Sequence, residues 1–346
     1  MSKIVKIGNT AIGGGSKIAI QSMCNIKTEK TDQIVNQILE LERAGCDIIR
    51  VSVKDEQDAK ALKKIKEKIS IPLVADIHFD YRLAILSMEN GVDKIRINPG
   101  NIGSEDKVKA VADCIKAHKV AVRVGSNSGS VEKEFLDKYG KNEISLAESA
   151  LKRVAQLEKY GVDNIVISAK TSSVPLNIKT YRYLSQKTDY PLHVGVTEAG
   201  TKEMGVVKSA IGIGSLLCDG IGDTIRVSLT GAPIEEIYSA KKILRASGID
   251  KDYAEIISCP TCGRTEYDMT TLAEEVYRRT INITKPIKIA VMGCVVNGPG
   301  EAKDCDIGIA GGKGSCVIFK KGEVYKTLPE EIAKEEFLKE INQLVK

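Results

Sequence analysis

Tryptophan is absent from this 346-residue chain, and aromatic residues of all kinds make up only 4% of it. That scarcity argues against a base-stacking platform for single-stranded nucleic acid. No apolar run approaches the ~20 residues of a membrane span. The opening MSKIVKIGNT lacks the apolar core of a signal peptide, so the expected location is the cytoplasm. Lys and Arg (51) outnumber Asp and Glu (46), giving +5, yet no concentrated basic stripe marks a nucleic-acid footprint. Low complexity is missing too: 42% hydrophobic and 28% charged residues describe a folded chain, long enough for two domains. Two features stand against these absences. There are nine cysteines in a chain expected in a reducing compartment, and a charge excess with no evident seat.

One phrase recurs. AGCDIIRVS (44–52), NGVDKIRIN (90–98), YGVDNIVIS (160–168) and DGIGDTIRVS (219–228) each read as a helix end, a Gly, an Asp and a β-branched strand. Gly stops a helix because it takes the left-handed conformation cheaply, and the short apolar run after it suits an interior strand. Four more strands, at 17–23, 71–78, 119–126 and 190–197, bring the number to eight. Helix-period segments follow each, at about 31–44, 55–69, 80–90, 104–118, 143–160, 175–188, 201–217 and 233–247. Eight strand–helix units predict an α/β fold, a parallel (β/α)8 TIM-type barrel over residues 1–250. The alternative, an open doubly wound sheet, lacks a GxGxxG after its first strand. After a linker at 247–255 the grammar changes. Strands near 255–258, 287–292, 305–310 and 315–319 and helices near 269–282 and 329–344 predict a small α+β domain over 251–346. That segment holds 14 Lys and Arg against 15 Asp and Glu, so the positive excess belongs to the barrel.

Residues two apart on a strand share a face. Arg50 with Ser52, Arg96 with Asn98, Arg123 with Gly125 and Arg226 with Ser228 therefore take matching places near strand ends, where a barrel has its mouth. Val166 breaks the series, but Lys170 closes that strand; Asp76, His193 and Thr197 share the equivalent face elsewhere. Charges gathered out of water need partners, and Asp76 and Glu198 offer at most two. The surplus calls for an anionic ligand of the diphosphate kind, which Arg grips bidentately; the loop GSNSGS (125–130) adds backbone donors. The competing view pairs these arginines with carboxylates on neighbouring loops. Glu198, in VTEAG, is the acid/base candidate, or alternatively an i,i+4 partner for Lys202. His193 and His78 read equally as ligands or as hydrogen-bonded core residues.

Cys24, Cys46, Cys114 and Cys218 show no ligand spacing. Cys259, Cys262, Cys294, Cys305 and Cys316 fall close together, and Cys259-Pro-Thr-Cys262 puts two thiolates on one turn. Zinc is the simple occupant, but the third thiol stands alone in MGCVVNGPGEA, which suits an iron–sulfur cluster better. A fourth ligand is then either Cys305 or Cys316, or something other than a thiolate. Phosphosugar lyase or aldolase chemistry through a Lys170 Schiff base, with structural zinc, is a rival; a non-catalytic metal-binding recognition module is another.

CPTCGRT, MGCVVNGPGEA and DIGIAGGKG, with IQSM, IRVSV, VADIHFDYRLA, KIRINPGNIG, RVGSNSGS, VISAK, HVGVTEAG and TIRVSLTG, resemble the 4-hydroxy-3-methylbut-2-enyl diphosphate synthase family of the non-mevalonate isoprenoid pathway, in its short bacterial form. The likeness spans essentially the whole chain. It implies a barrel joined to a reductase-like domain carrying a [4Fe–4S] cluster, held by Cys259, Cys262, Cys294 and Glu301. It implies 2-C-methyl-D-erythritol 2,4-cyclodiphosphate as substrate, reduced by two electrons with ring opening and loss of water. Positions matching the family's diphosphate contacts are Arg50, Arg96, Arg123, Asn127, Lys170, His193, Arg226 and Ser228. Asn297 matches in the cluster loop, and Glu198 matches the acid/base carboxylate. A flavodoxin or ferredoxin donor is implied, as is a homodimer in which the cluster domain of one chain closes over the barrel of the other. Cys305 departs from the pattern, standing where a small non-cysteine residue is expected and only four residues from Glu301.

Overall fold

The computed structural model describes residues 1–127, 129, 131–294 and 302–345. Its chain divides into two compact units, Met1–Ile249 and Asp250–Lys346.

Eight parallel strands form the first unit: β3 (Ala19–Met23), β4 (Ile48–Ser52), β5 (Leu73–Asp76), β6 (Lys94–Ile97), β7 (Ala121–Asn127), β8 (Ile165–Lys170), β9 (His193–Val194) and β10 (Thr224–Ile225). They run in the order β8-β7-β6-β5-β4-β3-β10-β9. An Ile167–Leu192 bridge, with Ile167 N donating to Pro191 O at 2.9 Å, nearly closes the ring. The ladders of β9 and β10 are two residues long, much shorter than the predicted segments. Tyr181 supports this thin seam from outside, its hydroxyl donating to His193 O at 2.7 Å and accepting from Ala169 N at 3.2 Å.

The eight predicted helices appear as α1 (Thr31–Arg43), α2 (Glu56–Lys66), α3 (Tyr81–Glu89), α5 (Glu105–His118), α7 (Glu143–Glu158), α8 (Val174–Lys187), α9 (Lys202–Cys218) and α10 (Pro233–Ala246). α1 shows why they pack: Ile34, Val35, Ile38 and Leu41 form one buried stripe against the outside of the strands. Two short helices, α4 (Pro99–Ile102) and α6 (Lys133–Tyr139), and a hairpin, β1 (Val5–Ile7) with β2 (Thr10–Ile12), were not foreseen. The hairpin seals the floor of the barrel. Its Val5, Ile7 and Ile12 pack with Ala19, Ile48, Val74, Ala121 and Val166. Val166 thus serves the apolar floor, which accounts for the missing cation on that strand.

The Asp of the repeated phrase has a mechanical role. Asp47 Oδ2 accepts from Ile20 N, Asp93 Oδ2 from Leu73 N and Asp223 Oδ2 from Leu192 N, each at 2.7 Å. The backbone N–H of the same three aspartates donates back to the O of the same partners at 2.9, 3.0 and 2.9 Å. Each unit thereby clamps its neighbour at the strand start, satisfying donors that would otherwise be buried unpaired.

In the second unit, β11 (Ala254–Ser258), β12 (Ile287–Met292), β13 (Ile307–Gly312), β14 (Ser315–Lys320) and β15 (Glu323–Pro329) form a sheet in that order, parallel through β13 and antiparallel after it. α11 (Met269–Thr280) and α12 (Glu330–Val345) contribute Met269, Leu272, Val276, Phe337 and Ile341 to a core with Ile289, Val291, Ile309 and Ile318. A smaller cluster holds Ala290, Met292, Ala302, Cys305, Ala310 and Phe319. β15 was missed in the sequence because it is a charged, mostly exposed edge strand held by backbone pairing to β14.

Candidate active site

Barrels of this type usually fill their interior with branched aliphatic side chains. Above its apolar floor this one holds cations. Arg50, Arg123, Lys170, His193 and Lys94 are all buried, Lys94 and His193 completely. They sit on β4, β6, β7, β8 and β9 where period-two alternation turns them inward, and the ladder pairs Arg96 with Arg123 and Asn127 with Lys170. Ser228, two residues beyond Arg226, is half-buried.

Two carboxylates answer them. Asp76 lies 3.3 Å from Arg96 Nη1 and 3.8 Å from Arg50 Nε. Burial pushes its carboxyl up, but Arg50, the His78 hydrogen bond, Arg96 and Arg123 together hold it well below the usual range. The second is Glu236 of α10, 3.3 Å from Arg226 Nη2. Glu198, expected in that role, is exposed instead. Nor is it matched with Lys202, whose Nζ pairs with Glu235 at 2.8 Å. Glu198 carries a positive φ of 51°, unusual for a residue with a Cβ and a form of strain that gathers at functional sites.

The balance stays positive, and the hydrogen bonding shows it. Among the described residues Arg123 Nε and Nη1, Arg96 Nε, Arg226 Nε and His193 Nε2 are buried without a partner. Buried donors are rarely left so. Burial lowers the Arg123 guanidinium well below its ordinary range, and Arg50 and Arg96 lower it further. Lys170 is lowered by burial, then by Arg123 and Arg226. His193 is kept neutral by burial, then by Lys170 and Arg123, while its Nδ1 lies 2.6 Å from Thr224 Oγ1. Two glycines leave room for this packing. A Cβ on Gly125 would stand 2.8 Å from Arg96 Nε, and one on Gly195 would stand 2.6 Å from Lys170 Nζ and 2.4 Å from Arg226 O.

Lys94 and Glu236 escaped the sequence reading, though both left a signal. Lys94 is two residues before Arg96 on the same strand face, and its Nζ donates to Gln21 Oε1 at 3.1 Å. Glu236 falls on the buried stripe of α10 with Pro233, Ile237, Ala240 and Leu244, a place for apolar residues.

The second unit carries the spaced cysteines. Cys259 and Cys294 are half-buried and Cys262 is exposed. Cys259 Sγ accepts from Gly293 N at 3.1 Å, which sets the CPTC turn against the residue preceding Cys294. Thr265 closes the turn, its Oγ1 accepting from Cys262 N at 3.2 Å and its N donating to Cys262 O at 3.0 Å. The Arg264 backbone N–H and guanidinium lower the Cys262 thiol, favouring the thiolate that metals bind. These are donors suited to a soft metal or iron–sulfur group. Among the described residues no three or more His, Cys, Asp or Glu are gathered closely enough to hold a metal ion. Asn297 and Glu301 lie outside the described residues, as do Ser128 and Ser130 of the mouth loop. Cys305 and Cys316 are buried in apolar clusters, with burial raising both thiols. Cys24 is likewise buried and raised.

Solved structures share the barrel fold at low sequence identity. Dihydropteroate synthase of Yersinia pestis superposes with a TM-score of 0.53 at 13% identity, over 72% of this chain and 99% of that one. The N-acetylneuraminic acid synthetase of Leptospira borgpetersenii gives 0.53 at 15% identity, over 81% and 97%. Sequence comparison reaches the whole molecule. The family model described as the GcpE TIM-barrel domain matches residues 2–241, and that of the GcpE protein C-terminal domain matches residues 255–343. Curated proteins named 4-hydroxy-3-methylbut-2-en-1-yl diphosphate synthase (flavodoxin) are 59% identical in Caldanaerobacter subterraneus, over 100% of this chain and 98% of that one, and 57% identical in Clostridium perfringens, over 98% of each. With both of its units matched and its relatives aligned along their full length, the chain belongs to the GcpE family.

Proposed function

We infer that the chain carries the activity its relatives are named for. It reduces 2-C-methyl-D-erythritol 2,4-cyclodiphosphate to 4-hydroxy-3-methylbut-2-enyl diphosphate in the non-mevalonate isoprenoid pathway, as an iron–sulfur oxidoreductase. The observation that carries this reading is the set of buried, unpartnered cation donors in the barrel mouth. A diphosphate supplies the acceptors and the negative charge that the protein withholds.

The reaction takes up two electrons and one proton, opens the ring at a carbon–oxygen bond to leave that phosphate oxygen anionic, and releases a hydroxyl as water. Arg50, Arg96, Arg123, Arg226 and Lys170, with Asn127, His193 and Ser228, bind the diphosphate. Charge left on its oxygen by ring opening develops where these donors already point, so little reorganisation is needed. Glu198 gives its proton to the departing hydroxyl. Cys259, Cys262, Cys294 and Glu301 would hold a [4Fe–4S] cluster, and Asn297 joins the substrate contacts. Bound there, the cluster supplies the electrons singly and an iron open to substrate. The donor is a flavodoxin, with ferredoxin the alternative, and the enzyme works as a homodimer in which the cluster unit of one chain covers the barrel of the other. The location is cytoplasmic; among the described residues no helix is long and apolar enough to cross a membrane.

Anaerobically purified protein tests the reading. Brown protein with broad absorbance near about 400 nm, forming the linear diphosphate from the cyclic one with reduced flavodoxin, is the expected result. Colourless protein holding stoichiometric zinc, or a borohydride-trapped Lys170 adduct with a phosphosugar, overturns it.

A further inference from the structure

Glu236 is 4% exposed, in the first turn of α10, and its two oxygens tie three elements together. Oε2 accepts from Ser22 Oγ of β3 at 3.0 Å. Oε1 accepts from Leu229 N at 3.2 Å and from Arg226 Nη2 at 3.3 Å. One carboxylate oxygen therefore brackets Ser228 from both sides, through the side chain two residues before it and the backbone one residue after. Arg226 Nε is buried without a partner among the described residues. The cation is gripped through one nitrogen and left open at another.

We propose that Glu236 is a positioning residue for the anionic ligand: it does not touch the diphosphate, but fixes Arg226 and the Ser228 turn in the geometry that receives it. The proposal rests on the cyclic-diphosphate reading of the mouth. A free Arg side chain loses rotamer entropy when it binds, and a guanidinium already held by a buried carboxylate loses less of it. The field of Glu236 also favours the charged forms of Arg50 and Lys170, so its charge serves more than one cation. Asp would not reach all three partners, and Gln offers the same shape without the charge.

Glu236→Gln is the decisive change, because its amide oxygen can still accept from Leu229 N while its NH2 donates to Ser22 Oγ, and Arg226 is left against a neutral oxygen without the carboxylate charge that holds it. In the cluster-loaded enzyme it is expected to raise KM for the cyclodiphosphate, and Kd measured on the oxidised enzyme, about ten-fold. kcat should change by less than about two-fold. Arg226→Gln and the double variant complete a cycle: once Arg226 is gone, Glu236→Gln should cost less than about two-fold more. Thermal midpoints are recorded throughout, and Glu236→Asp enters the same cycle if the Gln variant does not accumulate. An unchanged KM, independent multiplication of the two effects, or a KM that follows thermal midpoint and not the presence of Arg226 overturns the proposal. If Arg226→Gln alone leaves KM unchanged, the diphosphate reading of the mouth falls first.

Discussion

The barrel and the C-terminal unit prepare chemistry in opposite ways. In the barrel the working groups are strand residues, buried by the same alternation that builds the core, and their mutual repulsion is borne by the fold. In the C-terminal unit the thiols sit on turns at the ends of elements, half-buried or exposed, beside a core that does without Cys262 and Cys294. An array held by a sheet keeps its geometry before the ligand arrives but stores unfavourable electrostatics until it does. Thiols on turns store little and depend on what they bind to fix them. The two sites should therefore fail independently.

The sharpest test of that independence is Cys262→Ser. Turnover should fall by at least about a hundred-fold, with the absorbance of thiolate-bound iron diminished, while equilibrium binding of inorganic pyrophosphate to the barrel stays unchanged. Loss of both together would break the comparison. Next comes Glu198→Gln, expected to lower kcat by about 10²–10⁴-fold with KM nearly constant, measured by steady-state kinetics. A matching rise in KM would make Glu198 a binding group instead.

The stored electrostatics should appear in the pH dependence of stability. Lys94 and Lys170 are depressed by burial, so above their folded values the folded barrel binds fewer protons than the unfolded chain does. Stability of the ligand-free protein should then rise with pH toward about 10.4 and fall as pH drops, by at most about 1.4 kcal/mol per pH unit for each group. Saturating pyrophosphate favours the charged lysines and should flatten the slope, which thermal unfolding at several pH values will show. The smallest contrast lies between two glycines. Gly195→Ala forces a Cβ to 2.4 Å from the Arg226 carbonyl, which cannot move aside, and should cost about 1–3 kcal/mol. Gly293→Ala meets Thr265 Oγ1 at 2.8 Å and Met269 Sδ at 3.0 Å, side-chain atoms with more freedom than a backbone carbonyl, and should cost less than Gly195→Ala. Denaturant midpoints of the two variants decide it.

Much of the barrel was legible in the sequence because each strand repeats one local code. Gly, Asp and β-branched alternation located the units, and Arg50, Arg96 and Arg226 could be turned inward from period two alone. What stayed hidden had local reasons. Three-residue strands such as Val5–Ile7 are too short for a period to show. A Glu in the first turn of a helix looks like an ordinary answer to the helix dipole, so nothing in the sequence singles out Glu236. The exposure of Glu198 and its positive φ were not visible in the sequence, because spacing along a chain reveals neither. The thiols were found by spacing, but spacing along the chain does not place them in space.

The aspartate clamp sets a rule for insertions. Asp47, Asp93 and Asp223 each precede an arginine of the mouth, Arg50, Arg96 and Arg226, by three residues. One extra residue inside that interval would leave the clamp in place and turn the arginine onto the helix-facing side of its strand. The same residue inserted before the aspartate would only lengthen a turn. Four consecutive positions therefore form a unit that can be neither stretched nor shortened, whereas the connections on either side are free to drift in length.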